Sequence, residues 1–329
     1  MIYAFYVRKT FIKSAYKFMN KQAFIITIDT EGDNLWQQPR EITTKNAAFL
    51  PRFQSLCERY GFKPTYLTNY EMAQSEQFVE FGKDVLHRGT GEIGMHLHAW
   101  NSPPLIPLTS DDFKYHPFLI DYPESIMRDK IAFMTDLLED KFQTKMISHR
   151  AGRWSFNDIY ARLLIEQGYC VDCSVTPHVS WKTTLGDPNG AGGTDFSEYP
   201  ESAYLIENKL LELPMTIINH NRSQLINKLS ELPKIGRFIR HKLPQRTWLR
   251  PNRRNLKAML KLVKQAAVEK RPYIEFMLHS SEFMPGGSPN FVNESQIEKL
   301  YQDMEQLFNL IQQKCFVGMT LKDYYKQVT

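Results

Sequence analysis

The stretch FIITIDTEGD, at residues 24–33, joins a short apolar run to three carboxylates. The run at residues 24–28 has the composition of a strand buried on both faces of a parallel sheet. Asp29, Glu31 and Asp33 follow it directly, and the carboxyl ends of the strands form the active-site face of a β/α barrel. Asp29 and Glu31 are two residues apart, so they project to the same side if the extended geometry continues. The alternative is a solvated acidic turn.

The same alternation of short apolar runs and longer segments at helical period continues along the chain. Further strands are predicted at residues 64–68, 92–98, 146–149, 170–175, 210–215, 273–280 and 316–319. Helices are predicted at residues 44–60, 71–88, 122–142, 155–167, 252–269 and 293–313. This pattern indicates an α/β fold, a distorted (β/α)7-type barrel in a single domain, with an open doubly wound sheet as the alternative.

We assign residues 23–329 to this barrel and residues 1–22 to an N-terminal extension, with a basic insertion at about 220–255. Two connections, at residues 99–121 and 177–208, are longer than ordinary β-α loops. Loops of this length after barrel strands are typical of lids or substrate walls.

The composition of the 329-residue chain, with 42% hydrophobic and 23% charged residues, excludes disordered and fibrous proteins. No run of about 18–20 apolar residues occurs, so no transmembrane helix is predicted. Basic residues interrupt the apolar segment that a signal peptide would need, which predicts a cytoplasmic protein. Four cysteines are too few for a disulfide framework, and the pair Cys170 and Cys173 is interpreted as packing.

The net charge of +5 is concentrated in one part of the chain. Residues 234–271 contain thirteen Lys and Arg against one acid, Glu269. This segment is either a solvated face or a surface that attracts an anionic partner, such as the inner face of a membrane, a lipid-linked diphosphate sugar or lipopolysaccharide phosphates. No nucleic-acid partner is predicted, because no nucleic-acid-binding motif accompanies the charge.

The predicted strand at residues 92–98 ends in His96 and His98, which share one face at a period of two. Two imidazoles at this spacing suit one divalent metal, with a carboxylate from Glu31 or Asp33 as third ligand. Such a site keeps positions open for water and substrate. A lone histidine is more often structural, and three others, in loops or at strand ends, are interpreted as lying outside the site: His116, His178 and His220.

Two further polar residues follow predicted strands. Arg150 comes after the fourth strand and is placed to hold Asp29 ionised through a bidentate pair. His279 ends a strongly apolar strand and is a candidate general acid.

Together, these motifs resemble the polysaccharide deacetylase (NodB-homology, carbohydrate esterase 4-like) superfamily. The matching segments are TIDTEG at residues 27–32, EIGMH at 92–96, RAGRW at 150–154 and LH at 278–279. The segments GMHLHAW at residues 94–100 and HSSEFMPGGS at 279–288 are similar to the WalW-like branch, which is associated with bacterial cell-surface polysaccharide loci.

The resemblance implies a hydrolase of carbon-nitrogen bonds that removes an acetyl group from an N-acetylated sugar such as N-acetylglucosamine, in surface polysaccharide or lipopolysaccharide biosynthesis. It also implies a divalent metal, Zn²⁺, with Glu31 among its ligands. In this scheme Asp29 is the general base, Arg150 keeps Asp29 ionised, and His279 protonates the leaving amine.

The chain departs from the family pattern at two positions. The adjacent Asp pair of the family is replaced by Asp29-x-Glu31, and the position of the second family histidine is occupied by Trp100. Either His98 supplies the second imidazole beside His96, or the site has fewer protein ligands.

Four residues are predicted to contact the substrate, namely Trp100, Trp154, Trp181 and Asp33. Two alternatives to sugar deacetylation stay open. One is hydrolysis of another amide, such as a formamide or a cyclic ureide. The other is a catalytically silent carbohydrate-binding protein.

Overall fold

The computed structural model describes residues 9–11, 21–182, 192–220, 232 and 245–329. Most of the predicted N-terminal extension and of the predicted basic insertion lies outside these residues. The two boundaries therefore stay predictions.

Within the described residues, the central sheet has ten strands in the order β1-β7-β8-β6-β5-β4-β3-β2-β11, with β12 beside β2. The strands are β1 Lys9–Phe11, β2 Ala23–Thr30, β3 Pro64–Thr68, β4 Glu92–Leu97, β5 Ser148–Ala151, β6 Val171–Asp172, β7 Tyr204–Ile206, β8 Leu210–Glu212, β11 Tyr273–His279 and β12 Val317–Met319. All pairings are parallel except β7 with β8 and β1 with β7. A separate antiparallel pair consists of β9 Ile217–Asn219 and β10 Arg246–Trp248.

The sheet curls until β8 approaches β11, and hydrogen bonds that are not part of a strand ladder bridge the remaining seam. The Tyr273 hydroxyl donates to the carbonyl of Pro214 (2.7 Å), and the Glu275 N–H donates to Oγ1 of Thr216 (2.8 Å). The structure thus confirms a distorted (β/α) barrel in a single α/β domain.

Nine helices are found in the described part of the chain, most of them on the outside of the sheet. They are α1 Leu50–Arg59, α2 Tyr70–Ala73, α3 Glu76–His87, α4 Asp112–Tyr115, α5 Glu124–Phe142, α6 Asp158–Glu166, α7 Leu256–Val268, α8 Glu294–Gln313 and α9 Leu321–Val328. Their apolar faces cover the strands: Phe308 of α8, for example, packs edge-on against Phe24 of β2 and Phe276 of β11.

The predicted elements differ from the observed ones mainly at their ends. The helix predicted at 44–60 begins as a 3₁₀ turn, Lys45–Phe49, before α1. The strand predicted at 210–215 ends at Glu212, although the N–H groups of Leu213 and Met215 still donate to the carbonyls of Asp172 and Val175. Four short strands, β1, β7, β9 and β10, are not predicted, since three residues are too few to show a period of two.

None of the helices in the described ranges combines the length and apolarity needed to cross a bilayer. Cys57, Cys170, Cys173 and Cys315 are free thiols, so the C-x-x-C pair does not form a disulfide.

Candidate active site

The register of the parallel strands brings the predicted site residues to one end of the barrel. Asp29 of β2 pairs with His279 of β11, and His96 of β4 pairs with Arg150 of β5. All four therefore lie at the carboxyl ends of their strands, where barrel active sites are found.

Glu31, His96 and His98 form a buried group whose ligand atoms could hold one metal ion. Oε2 of Glu31 lies 3.6 Å from Nε2 of His96 and 3.3 Å from Nε2 of His98. The two Nε2 atoms are 2.9 Å apart. One carboxylate and two imidazoles facing a common point are the ligand set of many catalytic zinc sites.

The surroundings of the two histidines leave their Nε2 atoms available to a metal. Nδ1 of His96 lies 2.9 Å from the carbonyl of Arg150, which fixes a proton on Nδ1 and directs Nε2 at the site. Burial disfavours the charged ring, but Asp29 and Glu31 outweigh it and raise the pKa of His96, so a metal at Nε2 would compete with a proton there. Burial, together with the nearby cations, holds the pKa of His98 well below its usual range, so this imidazole is neutral. Nδ1 of His98 is buried without a hydrogen-bond partner among the described residues. The residues present therefore fit a divalent metal.

Asp29 lies beside the metal-ligand group and faces it with one oxygen. Its Oδ1 accepts a 2.6 Å hydrogen bond from Arg150, and its Oδ2 lies 4.0 Å from Nε2 of His96 and 3.8 Å from Nε2 of His279. Burial favours the neutral acid, but Arg150 and the two histidines outweigh it and hold the pKa of Asp29 below its usual value. Asp29 is thus an ionised carboxylate with one oxygen directed at the site.

A second buried carboxylate shares Arg150 with Asp29. Oε1 of Glu275 pairs with the guanidinium and accepts a 2.8 Å hydrogen bond from Thr27. Burial raises the pKa of Glu275 to about 7 despite Arg150. Sequence reasoning missed Glu275, although a period of two places it on the same face of the strand as His279.

His279 is oriented by partners on its Nδ1 side. Nδ1 lies 3.1 Å from Oε2 of Glu282 and 3.0 Å from the guanidinium of Arg250. Glu282 is fully buried and also accepts from the N–H of His279 (3.0 Å). Despite its burial, Arg250 and His279 lower the pKa of Glu282 to about 2. Nε2 of His279 faces the site, 3.8 Å from Oε1 of Glu31.

A cleft of about 680 Å³, a typical size for a small-ligand site, opens above this group. Its floor is formed by Asp29, Glu31, His96, His98 and His279. Trp100, Trp154 and Trp181 all line it. Trp100 stacks face to face on Phe113, with ring centroids 4.3 Å apart. Trp36, which sequence reasoning missed, also lines the cleft and is 40% exposed. The cleft is therefore walled by aromatic rings above a polar floor.

Asp33 is not brought to the cleft. Its Oδ2 accepts hydrogen bonds from Oγ1 of Thr43 (2.7 Å) and the N–H of Lys45 (2.9 Å), and its Oδ1 accepts from the N–H of Asn46 (3.0 Å). Both oxygens brace the loop that follows β2. The three histidines interpreted as lying outside the site are elsewhere, paired with Asp121, Glu201 and Thr247.

The basic residues in the described part of the basic segment do not form one surface. Arg250 lines the cleft and contacts His279, whereas Arg271 pairs with Glu201 (3.0 Å). The three lysines of α7, Lys257, Lys261 and Lys264, are all exposed on its outer face. Residues 233–244 lie outside the described part, so contact with an anionic surface stays a prediction.

No protein-family model matches the chain, and no curated protein matches its sequence. Among solved structures, one from Mycobacterium smegmatis assigned as a polysaccharide deacetylase superposes with a TM-score of 0.53 at 14% identity, over 94% of this chain and 91% of that one. The 4-alpha-glucanotransferase from Thermococcus litoralis gives a TM-score of 0.52 at 14% identity, over 94% of this chain and 40% of that one. These likenesses confirm the fold that the motif resemblance implies. Because one fold hosts both proteins, the function has to be argued from the site.

Proposed function

We propose that the chain is a member of the polysaccharide deacetylase superfamily and removes the acetyl group from an N-acetylated sugar with the help of a divalent metal, Zn²⁺. The observation that carries this proposal is the convergence of three groups at one end of the barrel. They are the ligand set Glu31, His96 and His98, the ionised Asp29, and the oriented imidazole of His279.

Glu31, His96 and His98 would hold the metal, with their Nε2 and carboxylate atoms already facing one point. When bound, the metal would polarise the acetamide oxygen and lower the pKa of the attacking water towards about 7.

Asp29 acts as the general base. Its Oδ2 faces the site while Arg150 occupies its Oδ1, so one oxygen is free to take a proton from the water that attacks the acetamide carbon. Arg150 keeps the carboxylate charged before the proton is transferred.

His279 acts as the general acid. The carbon-nitrogen bond breaks only when the nitrogen is protonated, because a free amine anion is a very poor leaving group. Glu282 contacts Nδ1 of His279, so Nε2, on the opposite side of the imidazole ring, faces the site and can deliver that proton. The products are acetate and a free amino sugar.

The aromatic walls hold the sugar above this floor. Trp100, Trp154 and Trp181 present apolar faces to the cleft, which suits the apolar face of a pyranose ring. We place the reaction in bacterial surface-polysaccharide or lipopolysaccharide biosynthesis at the cytoplasmic side, where the basic segment would approach an anionic carrier. Surface hexosamines that retain their acetyl groups in cells lacking the protein would support this setting.

Metal content and acetate release test the proposal together. Purified protein is expected to hold one divalent ion per chain and to release acetate from a chito-oligosaccharide only when metal is present. Glu31→Gln should lose the metal, whereas Glu305→Gln, which alters an exposed ion pair on the outside of the barrel, should keep it.

Two results would overturn the proposal. A metal-free protein that still binds the sugar is a silent carbohydrate-binding protein. Release of formate from an N-formyl sugar without any release of acetate would identify a different amide hydrolase.

A further inference from the structure

Arg153 occupies a strained position at the edge of the candidate active site. Its backbone is left-handed (φ 53°, ψ 27°), and so is that of the next residue, Trp154 (φ 59°). Such a conformation is strained in a residue with a side chain and persists only where the surroundings enforce it. Gly152 allows this turn to pack directly on the end of β4, since a Cβ there would clash with Cδ2 of His98 and lie 2.5 Å from the carbonyl oxygen of Leu97. The turn after β5 is therefore locked against the end of β4.

The guanidinium of Arg153 enters the cleft but has no polar partner among the residues that the structure describes. It lines the cleft, and its Cζ lies 5.5 Å from the ring centroid of Trp100 and 5.9 Å from that of Phe113. No hydrogen bond or ion pair joins it to a described residue. By contrast, Arg150 is paired with two carboxylates and Arg250 contacts His279 and Glu282.

A half-buried arginine without a counter-ion is unfavourable, because its charge loses hydration and gains no partner in return. For this reason buried charges are normally paired. Burial also lowers the pKa of Arg153, although Glu31 acts in the opposite direction. Glu31 does not form an ion pair with Arg153, since its carboxylate lies against His96 and His98. The missing counter-charge is therefore best supplied by the ligand that fills the cleft.

We infer that Arg153 binds an oxyanion, a carboxylate or a phosphate, carried by the substrate sugar, so that the substrate is an anionic N-acetylated glycan. This inference rests on the proposed function. The planar fork of a guanidinium matches two oxygens of a carboxylate or phosphate, and the stacked Trp100 and Phe113 provide the flat wall on which the same sugar can lie.

The position of Arg153 also limits where the anion is attached. The guanidinium lies beside the edges of the stacked Trp100 and Phe113 rings, and the ring of Trp100 lies 4.3 Å from that of the metal-ligand candidate His98. The oxyanion therefore belongs to the sugar that carries the acetamido group or to its direct neighbour.

The test compares three probes that share N-acetylglucosamine: neutral chitotetraose, a hyaluronan tetrasaccharide that carries carboxylates, and N-acetylglucosamine 1-phosphate. Acetate release is measured for the native protein, Arg153→Gln and Arg153→Lys. Arg59→Gln is the control, because Arg59 is exposed, pairs with Glu305 and does not line the cleft.

The native protein is expected to have a lower KM for one anionic probe than for chitotetraose. Arg153→Gln should raise that KM by about tenfold or more, the worth of a charge-assisted hydrogen bond, and should change the KM for chitotetraose by less than about twofold. Arg153→Lys should retain part of the preference, since it keeps the charge and loses the fork. The probe on which the effect appears identifies the anion as carboxylate or phosphate.

Calorimetry with the same probes separates this inference from the proposed function. If Arg153→Gln loses charge-selective binding while no probe releases acetate, the oxyanion site stands and the proposed function fails. If acetate is released but Arg153→Gln weakens all three probes equally, or the native protein shows no preference for charge, the oxyanion site is refuted and the function stands. Failure of all three probes to bind refutes both.

Discussion

Two buried clusters lie on opposite faces of the same strand, β5. Arg150 points into the barrel and pairs with Asp29 and Glu275. Its neighbour His149 points outward, where Nδ1 lies 2.6 Å from Asp172 and Nε2 lies 2.9 Å from the hydroxyl of Tyr160 in α6. Arg150 and His149 are both completely buried, and both pair with carboxylates.

The two clusters differ in whether they are open to the cleft. Asp29 lines the cleft beside the metal-ligand group, whereas no member of the His149 cluster does. Shifted pKa values therefore do not identify the site by themselves, since Asp172, like Asp29, has a lowered pKa despite its burial, in its case because of His149. We expect the inner cluster to control turnover and the outer cluster to control stability.

The largest effect is expected from Asp29→Asn. The amide keeps the shape of the side chain but cannot take a proton, so acetate release should fall by about 100-fold or more. Steady-state assays of the metal-loaded variant measure this, and elemental analysis checks that the metal is retained. Near-normal turnover with metal bound would remove the role of Asp29 as base.

His279→Ala should also lower acetate release from the sugar amide by about 100-fold, but for a different reason. The variant loses the proton donor for the amine, which an ester with a nitrophenolate leaving group does not need. Hydrolysis of 4-nitrophenyl acetate should thus suffer much less in His279→Ala than in Asp29→Asn. Equal losses on the amide and the ester would show that His279 is not the acid.

Asp172→Asn is the matched change in the outer cluster. It removes a charged acceptor from His149 and from the backbone N–H and hydroxyl of Ser174, so the free energy of unfolding should fall by about 2 kcal/mol. Urea titration measures this loss, and turnover per folded molecule should stay within about twofold of the native value. A large loss of turnover in a fully folded Asp172→Asn would contradict the division between the clusters.

The smallest expected effect is on the pH dependence of stability. Burial holds the pKa of His149 below the ordinary histidine value of about 6.5, although Asp172 acts in the opposite direction. The unfolded chain therefore takes up a proton near pH 6.5 that the folded chain refuses, so the contribution of His149 is present above pH 6.5 and is lost as the pH falls below it.

Urea titrations of the native protein and of His149→Gln at pH 7.5 and 5.5 measure this contribution. The native protein should lose up to about 1.4 kcal/mol per pH unit more than the variant. Parallel pH profiles for the two proteins would show that His149 does not titrate in this way.

The sequence alone predicts the barrel and the site residues at the carboxyl ends of its strands. A period of two and the parallel pairing of β2 with β11 and of β4 with β5 place Asp29, His96, Arg150 and His279 at the carboxyl ends of their strands on the inner face of the sheet. The short strands β7, β9 and β10 left no periodic signal.

The remaining site residues depend on contacts that local sequence does not encode. Arg250 reaches His279 from a loop after β10, and Trp36 packs edge-on against His279 from a loop after β2. Asp33 shows the opposite case: its acidic character suggested the cleft, but the chain turns after β2 and directs it to Thr43 and Asn46.

The central claim is that Glu31, His96 and His98 hold one divalent ion beside Asp29. Anomalous diffraction at the zinc edge, from crystals of the zinc-loaded protein, tests it most directly. We expect one strong peak within about 2.0–2.2 Å of a Glu31 oxygen and of Nε2 of both His96 and His98. No peak at this position, or a peak bound by other residues, would contradict it.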